Sequence, residues 1–435
     1  MQKLPDSPQR DQFPAKTFVT ARTHREPCAL TDYARNCMLN FVDQWHRNRR
    51  IMNPSFHQKL LTSFFPIFNK AKDGAILKFG EMADNMLPHL IGEKLQRITL
   101  SIAVETTMGK KMYKGDQVSD KLVKAFVVLL EAVPKECLLA YVKLNHFYAR
   151  FSKTTKEYLY TFIEELLNRK LSSITFGKES RIADIDPPQS YKATDGVSIG
   201  KTELNEKIPN IFVDQAINLY REGKLSYHDI IGEANTIVSA AFETSANGLF
   251  SALLMLAMHP SVQERLYEEI LNVFSEKVFY MDYEHVANMP YLDMVVNETL
   301  RLMPPIPIIG RHVVQNTTLS NGLELPKGFS ILISIFDVHR RTDLWGPNAH
   351  KFNPDNFLPG NLKGKHPYAY IPFSKGIRNC IGWKYALIAI KVLLTGFVRN
   401  FSFSTSTKLE ELKFSNNISL KYTHEPKLVL KHRKI

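Results

Sequence analysis

Ten residues near the C-terminus, Phe373-Ser374-Lys375-Gly376-Ile377-Arg378-Asn379-Cys380-Ile381-Gly382, carry chemistry that the rest of the chain does not. They place one cysteine after a glycine turn and just before a helix. Gly376 permits the tight turn beneath the sulfur, and the helix that begins after Gly382 directs backbone N–H groups and the positive end of its dipole toward it. Both effects favour a thiolate. Held dry as the axial ligand of a haem iron, such a thiolate pushes electron density onto the metal and favours O–O cleavage. Arg378 adds a cation where haem carboxylates would lie. An isolated cysteine is most often a small inert core residue, so the reading rests on what accompanies Cys380.

Two companions are legible. Ala240-Ala241-Phe242-Glu243-Thr244-Ser245 sits inside a long apolar stretch of helical period. Its small side chains leave room over an iron, the Thr244 hydroxyl can hydrogen-bond to dioxygen or water, and Glu243 can relay protons. Glu298-Thr299-Leu300-Arg301 sets an acid and a base three apart on one helix face, where they can pair. Read alone, such a pair is most often a solvated surface bridge.

The elements that must position these groups follow from periodicity and caps. Residues 1 to about 40 are rich in Pro, Arg and Asp and show no steady period. From there to about residue 170 the spacing is helical, as in Ile98–Val104 and Tyr158–Leu167. Residues 171–210 are polar, include Asp186-Pro187-Pro188-Gln189, and read as an exposed loop. Ser226 with Asp229 opens a helix that runs to about Met258, where His259-Pro260 stops it; Ser261 with Glu264 caps the next. A helix of that length, against an average of about three turns, suggests an element crossing the whole domain. Short β-like runs begin near Ile306 and include Phe329–Ile333, and Ile418–Tyr422 turns near Pro426 into Lys427–Leu430. Many helices, few strands and no alternation predict a mostly α, α+β fold.

Composition bounds the alternatives. The 435 residues, 44% apolar, suit one large core, and the net charge of +13 comes from scattered Lys and Arg with no long basic block. That argues against nucleic acid and for a basic face that docks an acidic protein partner. Cys28, Cys37, Cys137 and Cys380 form no C-x-x-C pair, which fits a reducing compartment. No run of about eighteen apolar residues exists, and Met1–Pro5 lacks the apolar core of a signal peptide.

Phe-x-x-Gly-x-Arg-x-Cys-x-Gly, complete here, resembles the signature of the cytochrome P-450 superfamily of haem-thiolate monooxygenases. The Ala240–Ser245 hexapeptide is similar to that family's oxygen-activation motif, with Ala241 in place of the usual Gly. Glu298 and Arg301 are similar to its buried Glu-x-x-Arg bridge, whose third partner is an arginine in Pro-x-Arg-Phe; this chain has Pro354-Asp355-Asn356-Phe357, so the bridge must find another partner or tolerate a weaker network. Trp45 and Arg49 resemble its Trp-x-x-x-Arg, and with Arg311 and Arg378 they match positions that bind the haem propionates; indole N–H and guanidinium groups suit carboxylates. Phe373, Gly376 and Gly382 complete the cofactor set around the metal ligand Cys380. Ala240, Ile306, Ile308, Ile309 and Tyr422 fall in segments that resemble substrate contacts, mostly apolar.

The texture of Trp45–Arg50, Glu105–Gly109, Ile308–Arg311 and His366–Phe373 is similar to the fatty-acid omega-hydroxylase clan and its arthropod relatives. Mammalian members carry Glu at the position of Ala240, esterified to the haem; Ala240 cannot form that bond, so haem b should be held non-covalently apart from the Fe–S bond. The resemblance implies a P-450 domain over 41–435, with residues 1–40 an atypical N-terminus lacking the family's membrane anchor, as in a truncated or alternatively spliced chain. It implies electrons from NADPH through cytochrome P-450 reductase, with cytochrome b5 as a further donor. It also implies an apolar substrate, a peripheral contact with the cytosolic face of the endoplasmic reticulum, and no nucleic acid. A haem-thiolate isomerase or dehydratase is the enzymatic rival, against which the intact Glu243-Thr244 pair argues. A non-catalytic haem binder is the other.

Overall fold

The computed structural model describes residues 42–109, 119–141, 145–175, 211–276, 278–416 and 418–433. Residues 1–41, which include the stretch read as an N-terminus apart from the domain, and most of 171–210 lie outside the described residues. Leu171–Thr175 continue a helix instead of opening that loop.

Helices dominate. In chain order they are α1 (Val42–Met52), α2 (Gln58–Ser63), α3 (Phe65–Asn85), α4 (Gly92–Met108), α5 (Asp120–Tyr141), α6 (Asn145–Thr175), α7 (Phe212–Arg221), α8 (Tyr227–Met258), α9 (Pro260–Val273), α10 (Tyr283–Ala287), α11 (Pro290–Leu302) and α12 (Trp383–Asn400), with single helical turns between α11 and α12. Eight short strands among the described residues, β1 (Ile308–His312), β2 (Thr317–Thr318), β3 (Glu324–Leu325), β4 (Ser330–Ser334), β5 (Phe401–Ser404), β6 (Phe414–Asn416), β7 (Leu420–Tyr422) and β8 (Val429–His432), pair as β1–β4, β2–β3, β5–β8 and β6–β7, all antiparallel. The fold is mostly α with small sheets, as the patterning predicts.

Helix α8 is the organising element. The Asp229 N–H donates to the Ser226 hydroxyl at 3.0 Å and the Ser226 N–H to the Asp229 carboxylate at 3.1 Å, a reciprocal cap that starts the helix where expected. It ends at Met258. Helix α9 departs from the prediction: its N-cap is His259 and Pro260 is its first residue, so Ser261 lies inside it. Proline is favoured at that first position because its missing N–H has no helical acceptor there anyway. Although α8 is long and apolar enough to cross a membrane, 72% of its most apolar window is buried inside the protein. An all-round apolar helix of this kind is a core helix.

Around α8 pack α4, α11 and α12, and α12 also lies against α3. Gly396 permits that approach, because a methyl group there would collide with the Lys72 side chain. The two C-terminal runs form strands, β7 and β8, that belong to different sheets: β7 pairs with β6 and β8 with β5. Strand β8 is drawn to the end of α12, where Phe401 and Phe403 are buried, and β7 to α8.

Candidate active site

The cysteine loop is a set of nested turns. The Ser374 N–H donates to the Ile371 carbonyl, Asn379 to Gly376, and Cys380 to Phe373, at 2.9, 3.0 and 2.9 Å. Gly376 has φ +82°, so the glycine is required as predicted, while Ser374 holds φ +60° with a side chain attached. Two arginines brace the loop from distant parts of the chain. Arg49 of α1 donates to the carbonyl and the side-chain oxygen of Asn379 at 2.9 and 3.1 Å. Arg311 of β1 donates to the Ser374 hydroxyl at 2.8 Å, at the strained position. The Arg378 guanidinium stacks 3.6 Å from the ring of buried Trp45. Phe373 is half-buried against the core.

Cys380 stays open to solvent on one side, yet protein surrounds it elsewhere. Burial pushes its thiol above the ordinary value, and the Gly382 N–H and the charge of Arg49 pull the other way without reversing it. The Gly382 N–H, at the start of α12, and the Arg49 charge thus favour the thiolate as the sequence suggests, against the effect of burial. The donor set fits haem. Arg311 is half-buried, its cationic form is disfavoured by burial, and no carboxylate lies within 4 Å among the described residues. An anionic group with two carboxylates matches that unmet charge.

Glu298 and Arg301 are fully buried and paired at 2.6 and 2.7 Å. All five guanidinium donors are used: the other three reach the carbonyls of His339, Ala349 and Lys351 at 2.7, 2.6 and 3.0 Å. Of the two outcomes expected where the arginine is missing, the first holds: the bridge finds other partners. The Asn353 N–H and the Asn356 amide donate to the same Glu298 oxygen at 2.8 and 3.0 Å.

On α8, half-exposed Ile237, Ala240, Ala241, Thr244 and Asn247 form one stripe of a helix otherwise buried from Ile230 to Ala257. The 3–4 residue spacing puts them on one face. The Thr244 hydroxyl donates back to the Ala240 carbonyl at 2.6 Å. Glu243 points elsewhere. Ser419 donates to one of its oxygens at 2.9 Å, and Lys421 lies 3.1 Å from the other, close enough for an ion pair although not aligned for a hydrogen bond. Lys421 also donates to Glu131 of α5 at 2.8 Å. The structure thus gives Glu243 and Thr244 different partners and no direct bond to each other.

The three segments expected to contact substrate meet at Leu420. Its N–H donates to the carbonyl of Pro305, next to Ile306, at 2.8 Å, and its carbonyl accepts from Asn247, on the stripe of Ala240, at 3.2 Å. Tyr422, two residues on, packs its ring 5.2 Å from Phe250 and shares a 3.0 Å hydrogen bond with Ser251. Gln96, Val123, Val127, Ala246, Phe250 and Tyr422 line part of a cavity of about 320 Å³ beside it. Ile306 and Ile309 are half-buried and Ile308 is exposed. Sequence reading missed Lys421, Ser419, Asn247 and Asn379, since nothing local marks a polar residue whose partner lies in another element.

A helix-rich fold built on one buried central helix, with a lone cysteine in an arginine-braced loop, defines a haem-thiolate protein. The chain belongs to the cytochrome P450 family, whose family model, described as Cytochrome P450, matches residues 15–431. It is a monooxygenase-family enzyme with a haem-thiolate cofactor, and works with a redox partner. Among relatives, it is similar to probable cytochrome P450 313a4 of Drosophila melanogaster, 37% identical over 402 residues, which span 90% of this chain and 76% of that one. It is 29% identical over 385 residues to cytochrome P450 4p1 of the same fly, across 87% of this chain and 71% of the relative. A crystal structure of a cytochrome P450, CYP102L1, superposes with a TM-score of 0.73 over 93% of this chain and 83% of that one, at 21% identity, a likeness of fold.

Proposed function

We propose that this cytochrome P450 inserts one atom of dioxygen into an apolar substrate and releases the other as water. Electrons come from NADPH through a reductase at the cytosolic face of the endoplasmic reticulum. The observation that carries the reading is the meeting at Leu420, two residues before Tyr422: its N–H donates to the carbonyl of Pro305, beside Ile306–Ile309, and its carbonyl accepts from the side-chain amide of Asn247, on the stripe that holds Ala240 and Thr244. The cavity beside Leu420 is lined in part by apolar Val123, Val127, Ala246, Phe250 and Tyr422, which suits an apolar substrate.

Bound haem supplies the iron at which dioxygen is activated. Cys380 ligates that iron, and Trp45, Arg49, Arg311 and Arg378 supply donors for the propionates. Arg49 and Arg311 also brace the loop, at Asn379 and Ser374, so the grip on the cofactor and the position of the ligand are coupled. Ala240 and Ala241 keep the space above open. The Thr244 hydroxyl, resting on the Ala240 carbonyl, delivers a proton above the haem site, and Glu243 replenishes it only after turning away from Ser419 and Lys421, since no bond joins the two side chains in this structure.

The test is the spectrum of the reduced, CO-bound protein, followed by turnover of candidate lipids, hormones and xenobiotics with reductase and NADPH. A strongly red-shifted Soret band and oxygenated product are expected. A conventional band, or product formed from peroxides with no need for reductase, would replace this reading with a non-catalytic binder or an isomerase.

A further inference from the structure

The buried carboxyls of Glu298, Glu243 and Glu233 are satisfied unequally. Glu298 has a guanidinium and two further N–H donors. Glu243 has a hydroxyl and an ammonium. Glu233, in the first turns of α8 and only 2% exposed, has one neutral donor: the side-chain amide of Asn48 in α1 donates to its Oε1. Its Oε2 has no partner among the described residues, and no cation there lies within 4 Å. A buried carboxylate with one amide for company is costly, whereas the neutral acid is not. Burial accordingly pushes Glu233 up to about 7; the Asn48 bond and Arg47 pull it down, and Asp229 pushes it up.

Position gives the contact its meaning. Glu233 lies eleven residues before Thr244, three helical turns along the same face. Asn48 adjoins Arg49 and stands one turn from Trp45. Arg47 fixes the amide's direction, because its Nε donates to the Asn48 Oδ1 at 3.2 Å and leaves the NH₂ facing Glu233. Arg47 of α1 and Asp229 of α8, themselves 3.7 Å apart, are the charged groups that act on Glu233.

We propose that the Asn48–Glu233 contact is a protonation-controlled clasp between α1 and α8: the neutral acid holds α1 in place, and ionisation loosens α1 and with it the hold of Trp45 and Arg49 on haem. Glu233 is thus a positioning residue for the site, and the part concerning haem rests on the function proposed above. The charge makes the difference. An ionised Glu233 gains by moving toward water, which it can reach only if α1 lifts.

Hydrogen exchange of the α1 amides, corrected for intrinsic rates, tests the clasp in both haem-free and haem-loaded protein. Between about pH 5.5 and about pH 8 the wild type should lose about tenfold in protection. Glu233→Gln should stay protected at both, and Asn48→Ala should be weakly protected at both. In the loaded protein, haem transfer to apomyoglobin should accelerate with pH in the wild type alone. An unchanged pH response in Glu233→Gln, or none in the wild type, overturns the clasp. A pH response in exchange without one in haem transfer overturns its link to the cofactor. A protein that takes up no haem overturns the proposed function, while exchange in the haem-free protein still decides the clasp.

Discussion

The side-chain amide of Asn356 donates to Glu298 at 3.0 Å, where the family resemblance leads one to expect an arginine. A neutral donor suffices because Arg301 already balances the charge of Glu298 and spends its remaining donors on three carbonyls. Asn356→Ala should therefore lower stability by about 1–3 kcal/mol, the cost of stripping a donor from a buried charged acceptor. Asn356→Arg should give no rise in melting temperature, since its guanidinium would displace the amide and the Asn353 N–H from an oxygen already in use. Thermal unfolding of both variants checks this, and a clear gain for Asn356→Arg would show the network to be incomplete.

Cys380→Ser should abolish the red-shifted CO spectrum and oxygenation together. A neutral hydroxyl is a poor ligand for this chemistry, and the loop bonds of Asn379 and Phe373 do not depend on the sulfur. Circular dichroism should be unchanged. A wild-type spectrum in the variant would remove Cys380 from the site.

Thr244→Ala should keep haem and NADPH consumption while product per NADPH falls, by about tenfold, and hydrogen peroxide rises. The Thr244 hydroxyl touches only the Ala240 carbonyl among the described residues, so its loss costs little structure. Product, peroxide and NADPH measured together decide whether the hydroxyl serves chemistry or only fills the helix.

Lys421→Met should destabilise by about 3 kcal/mol, because Glu243, 2% exposed, would be left with a buried charge and one hydroxyl. Adding Glu243→Gln should recover much of that loss, so that the double variant loses well under the sum of the single effects. Denaturant unfolding of the three variants provides the cycle, and strict additivity would show the pair to be unimportant.

Glu233 and His339 should oppose each other in pH dependence. Buried His339 bonds through Nδ1 to the Arg301 carbonyl and accepts the Ile371 N–H at Nε2, a neutral tautomer; burial, the largest effect, lowers it to about 4. Below about 6.5 the unfolded chain takes up the proton first, so stability is lost as pH falls toward about 4. Glu233 runs the other way: its folded value of about 7 exceeds the unfolded one, so its contribution is present at low pH and lost as pH rises from about 4.5 through about 7. Each effect is worth about 3 kcal/mol in full, and they offset between about pH 4.5 and about 6.5. Glu233→Gln should unmask the histidine, and its melting temperature should fall on acidification more steeply than that of the wild type. Parallel curves would refute the pairing.

The sequence by itself determined what is local. The glycine turn at Gly376, the cap at Ser226 and Asp229, the break at His259-Pro260 and the helix-rich class follow from backbone rules that act over a few residues. The motif around Cys380 belongs with them, because its turns close within ten residues. Only the tertiary structure decided who meets whom. Arg49 and Asn379 are 330 residues apart, and neither periodicity nor composition marks them as partners. The same holds for Lys421 with Glu243 and Glu131, for Asn48 with Glu233, and for β7 choosing β6 over β8. It also holds where local signals compete: Ser261 could cap a helix, but Pro260 had already started it. Polar pairing across elements depends on burial, which removes water as the alternative partner, and burial exists only once the chain has packed.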